Sequence, residues 1–172
     1  LLLRPGSGGA LNAVGSSALS PLAGTPAAVA ELRTMVEQGA SPLLTVPEAF
    51  PFELDDFQLD TLRALHDGRS VVVSAPTGSG KTVCGEIGCY LALAKGERVV
   101  YTTPLKALSN QKFGDLQRQF GASRVGLLTG DTTINREGSV LVMTTEVYRN
   151  MLLRREAEPL SPADAAAAAA AA

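Results

Sequence analysis

The sequence predicts an α/β fold: a mostly parallel β-sheet with helices on both faces. Two observations support this prediction. Short valine-rich runs alternate with longer segments whose apolar residues recur at helical spacing, which is typical of right-handed βαβ units. In addition, the first apolar run, Val71–Val73, leads directly into a glycine-rich loop, Ala75–Thr82, that opens the next helix.

The predicted elements follow one another from Phe50 onward. Asp55 or Asp56 can cap the first helix of this region, and Asp67-Gly68 ends it. Apolar runs of the kind buried in parallel sheets predict the strands, and helical periodicity predicts the helices. The predicted strands are Ser70–Ser74, Arg98–Thr102, Arg124–Leu128 and Ser139–Met143, and the later helices are Lys81–Ala94, Leu105–Phe120 and Glu146–Arg154.

Composition confines this domain to the middle of the 172-residue chain. Residues 1–48 are predicted to be a low-complexity or disordered leader and linker, with a short helix over Ala27–Glu37 and a linker over Gln38–Val46. Residues 49–156 form the predicted α/β domain, and residues 157–172, which end in eight alanines, form a low-complexity tail. The sequence has no apolar run long enough to span a bilayer, so no membrane partner is expected. Because the net charge is only −2, any nucleic-acid surface must be local.

The loop between the first strand and the next helix predicts a phosphate-binding cradle. Its glycines allow a tight turn that points backbone N–H groups at an anion, and the helix N-terminus adds partial positive charge. Lys81 would reach the β- and γ-phosphates of a nucleotide, and the Thr82 hydroxyl would ligate Mg²⁺. The cradle comprises Ala75, Pro76, Thr77, Gly78, Ser79, Gly80, Lys81 and Thr82. The alternative is a simple Gly/Ser turn between unrelated elements.

Two residues upstream of the cradle are candidates for holding a base. The amide of Gln58 offers a donor and an acceptor that match adenine N6 and N7, and Phe52 could stack on the purine. A core phenylalanine and a solvated surface glutamine would explain the same two residues without any ligand.

The carboxyl ends of the later strands carry a second set of polar residues. Since parallel strands end at one edge of the sheet, these segments are expected to lie along one rim and to track a sugar-phosphate backbone. Thr103 is a predicted helix N-cap with Pro104 in the first helical position. Thr145 is a predicted cap of the last helix, and Glu146 is interpreted as a first-turn acid, not a Mg²⁺ ligand. The candidate nucleic-acid-binding residues are Thr103, Pro104, Lys106, Ser109, Asn110, Thr129, Gly130, Asp131, Thr144, Thr145 and Arg149.

Taken together, these segments resemble successive motifs of the superfamily-two DExH-box RNA helicases of the antiviral or superkiller type, and within them the bacterial and chloroplast members. The resemblance covers about Phe50 to Leu153, and Lys106–Lys112 (Lys-Ala-Leu-Ser-Asn-Gln-Lys) is its most specific part. It implies a partial RecA-like P-loop domain in which Phe52 and Gln58 hold adenine, Lys81 and Thr82 hold ATP phosphates and Mg²⁺, and the rim motifs grip RNA phosphates and ribose.

The D-E-x-H box of that family does not occur in the sequence, nor does a second RecA-like domain. We therefore expect the chain to be an amino-terminal fragment of an ATP-dependent RNA helicase. Its expected partners are RNA and the missing remainder of that helicase. By itself the chain is expected to lack full ATP hydrolysis. The alternatives are a P-loop kinase or regulatory NTPase, and a non-catalytic truncated nucleic-acid-binding product. The compartment stays open between chloroplast, cytoplasm and nucleus.

Overall fold

Helices and strands alternate along the chain in the predicted α/β order. The structure is a computed structural model that describes residues 20–157; the predictions for residues 1–19 and 158–172 lie outside them. No helix in the described range is long and apolar enough to cross a membrane. After a 3₁₀ turn at Ser20–Leu22, the elements are α1 Pro26–Glu37, α2 Pro42–Glu48, α3 Asp56–His66, α4 Lys81–Ala94, β1 Val99–Thr103, α5 Lys106–Phe120, β2 Val125–Leu128, β3 Thr133–Ile134, β4 Val140–Thr144 and α6 Thr145–Ala157.

The sheet is four-stranded, in the order β1-β4-β2-β3. The strand β4 pairs in parallel with both β1 and β2, whereas β3 is a two-residue antiparallel strand at the edge beside β2. The prediction of a mostly parallel sheet is confirmed. Because β1, β2 and β4 run in the same direction, the segments that follow them emerge at one edge of the sheet.

The main core lies between the sheet and α1, α4 and α5. The strand residues Val125, Val140 and Val142 are completely buried on this side. Tyr90 of α4 is also fully buried, and its ring meets those of Phe50 and Phe120 edge-on at centroid distances of 5.1 and 4.9 Å. Edge-to-face aromatic pairs add to the burial of apolar area, so this cluster holds α4 firmly against its neighbours.

The opposite face of the sheet has a smaller core. Leu128, Leu141 and Met143 are buried there, and Val147 and Tyr148 of α6 pack against them. Helices therefore lie on both faces, as predicted.

The prediction of a linker over Gln38–Val46 is wrong from Pro42 onward. Ser41 caps α2 by accepting a hydrogen bond from the backbone N–H of Leu43 at 3.3 Å, and Pro42 occupies the first turn, where its missing N–H costs nothing. Val46 of α2 and Leu32 of α1 are fully buried in the main core. The described part of the predicted leader is therefore largely helical and packed on the domain.

The prediction of a strand at Ser70–Ser74 is also wrong in this structure. These residues are extended but pair with no strand of the described sheet. Valine-rich sequence favours extended backbone, but a strand exists only where a neighbour completes its hydrogen bonds. The nearest strand, β1, lies across a cleft whose opposite wall includes Val71 and Val73.

Candidate nucleotide and nucleic-acid site

The glycine-rich loop has the conformation that a phosphate cradle requires. Gly78 and Gly80 have positive φ values of +86° and +81°, which side-chain-bearing residues rarely adopt. Within the described residues, the backbone N–H groups of Gly78, Gly80, Lys81 and Thr82 make no hydrogen bond. These free donors surround the N-terminus of α4, where the helix dipole favours negative charge. The loop therefore fits an anion such as a nucleotide phosphate.

Lys81 folds back onto its own loop. Its ammonium group donates hydrogen bonds to the carbonyl oxygens of Ala75 and Pro76, both at 2.5 Å. The side chains of Lys81 and Thr82 are exposed, so both can reach a ligand from solvent. The Ser79 hydroxyl, by contrast, is buried without a hydrogen-bond partner, and such a group is commonly satisfied by a ligand or water.

Gln58 lies beneath the cradle and not on the surface. Its side chain is only 3% exposed. The amide oxygen accepts a hydrogen bond from the Asp55 N–H at 2.9 Å, and the amide nitrogen donates to the Gly80 carbonyl at 3.3 Å. Because both ends of the amide are engaged, Gln58 connects the start of α3 to the cradle. Its role in holding adenine stays a prediction that requires these bonds to rearrange.

Phe52 lies in the turn before α3, and the residue is 49% exposed. The ring centroid is 5.6 Å from that of Phe50, which is buried in the main core. One ring thus anchors the turn while the other offers a free face. This placement leaves Phe52 available for stacking, which also stays a prediction.

The rim at the ends of β1 and β4 is joined by one buried and one partly buried hydrogen bond. The Thr103 and Ser109 hydroxyls lie 2.6 Å apart, and both residues are buried. The Thr145 hydroxyl donates to the Thr103 carbonyl at 3.2 Å, which ties α6 to β1. Since all three hydroxyls are engaged within the protein, two with each other and one with a backbone carbonyl, they hold the rim in place before any ligand arrives.

Two predicted helix caps are wrong by one or two residues. The N-cap of α5 is Leu105, not Thr103, because Thr103 completes β1 and turns its hydroxyl to Ser109. At α6, the Thr144 hydroxyl accepts the hydrogen bond from the Val147 N–H at 3.4 Å, and Thr145 is already helical. Thr103 and Thr145 nevertheless still lie at the rim.

Lys106 and Asp131 join the rim residues at the start of α5 to those in the loop after β2. Lys106, the first residue of α5, donates a hydrogen bond to the Asp131 carboxylate, which also accepts one from the Thr129 hydroxyl at 3.0 Å. The hydrogen bond from Lys106, followed by that from Thr129, holds the pKa of Asp131 below its ordinary value. Asp131 is therefore an ionised acceptor at neutral pH.

The remaining predicted residues are spread around these contacts. Pro104, Asn110, Gly130 and Arg149 are exposed, and none of them takes part in the bonds that tie the rim. The cradle adjoins the rim, because Lys81, Thr82 and Thr102 line one cleft. The sequence reasoning missed the pairing of Lys106 with Asp131, for which a separation of 25 positions carries no local signal.

Comparison with known proteins places the chain among helicases. A family model described as "DEAD/DEAH box helicase" matches residues 55–163. The chain is 60% identical over 102 residues to "Probable helicase HelY" of Mycobacterium leprae, covering 59% of this chain and 11% of that protein. It is 47% identical over 127 residues to "DExH-box ATP-dependent RNA helicase DExH15 chloroplastic" of Arabidopsis thaliana, covering 72% and 11%. It is 50% identical over 105 residues to human "Exosome RNA helicase MTR4", covering 61% and 10%. The chain thus spans about a tenth of the length of these curated relatives.

Proposed function

Because this chain belongs to the DEAD/DEAH box helicase family, we propose that it forms the ATP-binding, amino-terminal part of the first motor domain of an RNA helicase. Two of the relatives are named RNA helicases, and one of these is named ATP-dependent. The observation that carries the proposal is that the cradle residues Lys81 and Thr82 line one cleft with Thr102, beside the rim residue Thr103 at the end of β1. A motor needs its nucleotide and its track within reach of one rigid framework.

In this proposal the loop residues 75–82 hold ATP. The free N–H groups around Gly78–Thr82 would bind the phosphates, Lys81 would leave its loop carbonyls for the phosphate oxygens, and the Thr82 hydroxyl would ligate Mg²⁺. Gln58 and Phe52 would hold adenine. When bound, Mg·ATP supplies the triphosphate whose cleavage drives the motor.

The rim would hold the RNA backbone. The positively charged side chain of Lys106 and the N-terminus of α5 suit a phosphate group. The Asp131 carboxylate, which accepts hydrogen bonds, suits the ribose hydroxyl, which can donate one. The exposed Asn110 and Arg149 extend the same rim. This division of roles makes the surface an RNA-backbone binder that reads no base sequence.

Hydrolysis is proposed for the longer helicase and not for this chain alone. Phosphoryl transfer requires groups that position water and metal. In the part of the chain that the structure describes, the acid nearest the end of β4 is Glu146, whose side chain is exposed on the first turn of α6. We therefore expect the 172-residue chain to bind ATP with little turnover.

Nucleotide binding by the 172-residue chain tests the proposal. Lys81→Ala should abolish binding of a fluorescent ATP analogue, because it removes the cation of the cradle, whereas Lys95→Ala, at the other end of α4, should leave binding unchanged. Circular dichroism would verify that both variants are folded. Equal affinity in the wild type and Lys81→Ala would contradict the cradle.

Filter binding of RNA with and without ATP tests the proposed RNA binding by the rim. We expect the amount of RNA that the chain retains on the filter to change when ATP is added. Retention that is the same with and without nucleotide would favour a plain RNA-binding module. Transfer of phosphate to a small acceptor would favour a kinase.

A further inference from the structure

A polar bridge connects α4 to α5 beside the main core. The side-chain amide of Gln119, in the last turn of α5, donates hydrogen bonds to the Glu86 carboxylate and to the Tyr90 hydroxyl, both at 3.4 Å. Next to these bonds the rings of Tyr90 and Phe120 meet edge-on at a centroid distance of 4.9 Å. One amide of α5 thus holds two side chains of α4 at once.

The Glu86 carboxylate is an unfavourable group for this position. The residue is only partly exposed, and burial raises the pKa of its carboxyl above the ordinary value. The charge of Lys112 favours the ionised form, but the charge of Asp115 disfavours it. Stability therefore gives no reason for an acid here. Ionisable groups in such surroundings are candidates for a functional role.

The α4 end of the bridge lies close to the cradle. Glu86 is in the second turn of the helix that begins with Lys81. In this structure the Lys81 ammonium group holds the carbonyl oxygens of Ala75 and Pro76. In the proposed function it leaves them for phosphate oxygens. The first turn of α4 therefore has two arrangements, one without nucleotide and one with it.

The α5 end of the bridge leads to the rim. The helix α5 runs without a break from Lys106, at the rim, to Phe120. About 20 Å separates Lys106 from Gln119, at a rise of about 1.5 Å per residue. A helix moves as one body over this length, so a shift at Gln119 also moves Lys106. It moves Ser109 as well, whose hydroxyl lies 2.6 Å from that of Thr103.

We propose that Glu86 is a positioning residue that couples nucleotide binding at the cradle to RNA binding at the rim, acting through Gln119 and α5. This inference rests on the proposed function, since it requires a cradle that binds ATP and a rim that binds RNA. The departure of Lys81 from its loop carbonyls shifts the start of α4, and the bridge passes that shift to α5. Because a coupling free energy is reciprocal, ATP and RNA change each other's affinity by the same factor.

The alternative is a bridge that only stabilises the contact between the two helices. Its loss would then lower the stability of the chain. The factor by which nucleotide changes RNA affinity would stay the same, because that factor compares two measurements on one variant.

The test measures this factor in the 172-residue chain. Fluorescence anisotropy gives the affinity for labelled single-stranded RNA with and without a saturating, non-hydrolysable ATP analogue, and a separate titration gives the affinity for the analogue alone. We expect a factor of about five or more in the wild type. Glu86→Leu keeps the bulk of the side chain but removes the acceptor, so the two RNA affinities should become equal. The control Glu97→Leu removes an exposed carboxylate just beyond α4 and should keep the wild-type factor.

An exchange of the two partners gives the second arm. Gln119→Leu alone should lose the coupling as Glu86→Leu does. The double variant Glu86→Gln with Gln119→Glu places the amide on α4 and the carboxylate on α5, so the bond can form in the opposite direction and the factor should return. Circular dichroism would verify that each variant is folded.

Three results would overturn the proposal while ATP and RNA binding stand. These are a wild-type factor in Glu86→Leu, an equal loss in Glu97→Leu, and an exchange variant that is folded but uncoupled. A wild-type chain that binds both ligands independently would overturn it too. Failure of the proposed function would look different, because the wild type would then not bind the analogue or the RNA at all, and the coupling would fall with it.

Discussion

Lys106 at the start of α5 forms an ion pair with Asp131 in the loop after β2, and so joins two segments proposed to hold RNA. The two side chains are 51% and 62% exposed. A pair this well solvated contributes little to stability. Lys106 can therefore exchange the carboxylate for a phosphate at little cost, while Asp131 remains beside it.

The charge of Lys106 should appear in RNA binding as one phosphate contact. We expect Lys106→Ala to weaken binding of single-stranded RNA about tenfold at low salt, and to reduce the slope of log affinity against log salt by about 1. DNA of the same sequence should lose affinity to the same extent, because both backbones carry phosphate. Fluorescence anisotropy over a series of salt concentrations measures both quantities.

The control for this variant is Lys95→Ala, at the other end of α4. It removes the same charge from the chain but not from the rim, so the affinity and the salt slope should stay those of the wild type. Equal losses in both variants would mean that net charge, not the rim, governs binding.

Asp131 should distinguish RNA from DNA. A carboxylate only accepts hydrogen bonds, and the 2′-hydroxyl is the one group of the RNA backbone that can donate. In the Lys106→Ala background, which removes the ion pair, Asp131→Ala removes the acceptor, and its loss of negative charge acts on both backbones alike. We therefore expect it to weaken RNA relative to DNA about threefold to tenfold. Equal effects on RNA and DNA, measured by anisotropy, would assign Asp131 a purely structural role.

Gly80 should tolerate a side chain less well than Gly78. Alanine at either position must adopt a left-handed conformation, at a cost of about 1 to 2 kcal/mol. A Cβ at Gly80 would also lie 2.7 Å from the Gln58 amide nitrogen, whereas one at Gly78 meets nothing within 4 Å. Urea denaturation should therefore show Gly80→Ala to be the more destabilising, by about 1 kcal/mol for the disturbed Gln58 bonds.

The double variant Gly80→Ala with Gln58→Ala checks this cause. Removing the Gln58 amide should abolish the extra cost, so the two substitutions should be less destabilising together than the sum of their separate effects. Strict additivity would show that Gln58 does not support the cradle.

Glu86 should make stability depend on pH. Burial raises the pKa of its carboxyl above the ordinary value of 4.5, and a hydrogen bond from Gln119 opposes that rise. The folded chain then binds this proton more tightly than the unfolded chain, so the contribution of Glu86 to stability falls as the pH rises through the interval above 4.5. Glu86→Gln should therefore stabilise the chain at pH 7.

This gain should shrink as the pH falls and vanish once the carboxyl is protonated in both states. Thermal unfolding from pH 4 to pH 8 would measure this gain in stability. The wild type would be compared with Glu86→Gln and with a control, Glu97→Gln, at an exposed position. A gain that does not change with pH would show that packing, not the charge of Glu86, is responsible.

Local chemistry was enough to predict most elements and the conformation of the glycine-rich loop. The helix α4 has its predicted bounds, Lys81–Ala94. The strand β2 differs from prediction by one residue at its start and β4 by one residue at each end, because apolar periodicity is a property of neighbouring residues. The loop from Gly78 to Thr82 could likewise be recognised, since positive φ values at Gly78 and Gly80 require glycine whatever surrounds them.

The tertiary structure decided what depends on distant partners. Valines at 71–73 favour an extended backbone, but only a neighbouring strand can make that segment part of a sheet. Thr103 could have capped α5, but its hydroxyl meets Ser109 instead. The sequence alone therefore determined the order of the elements and the turn of the glycine-rich loop, because both follow from conformational preferences within a few residues. The pairing of strands and of Lys106 with Asp131 was decided by the fold, because it depends on which groups the folded chain brings together.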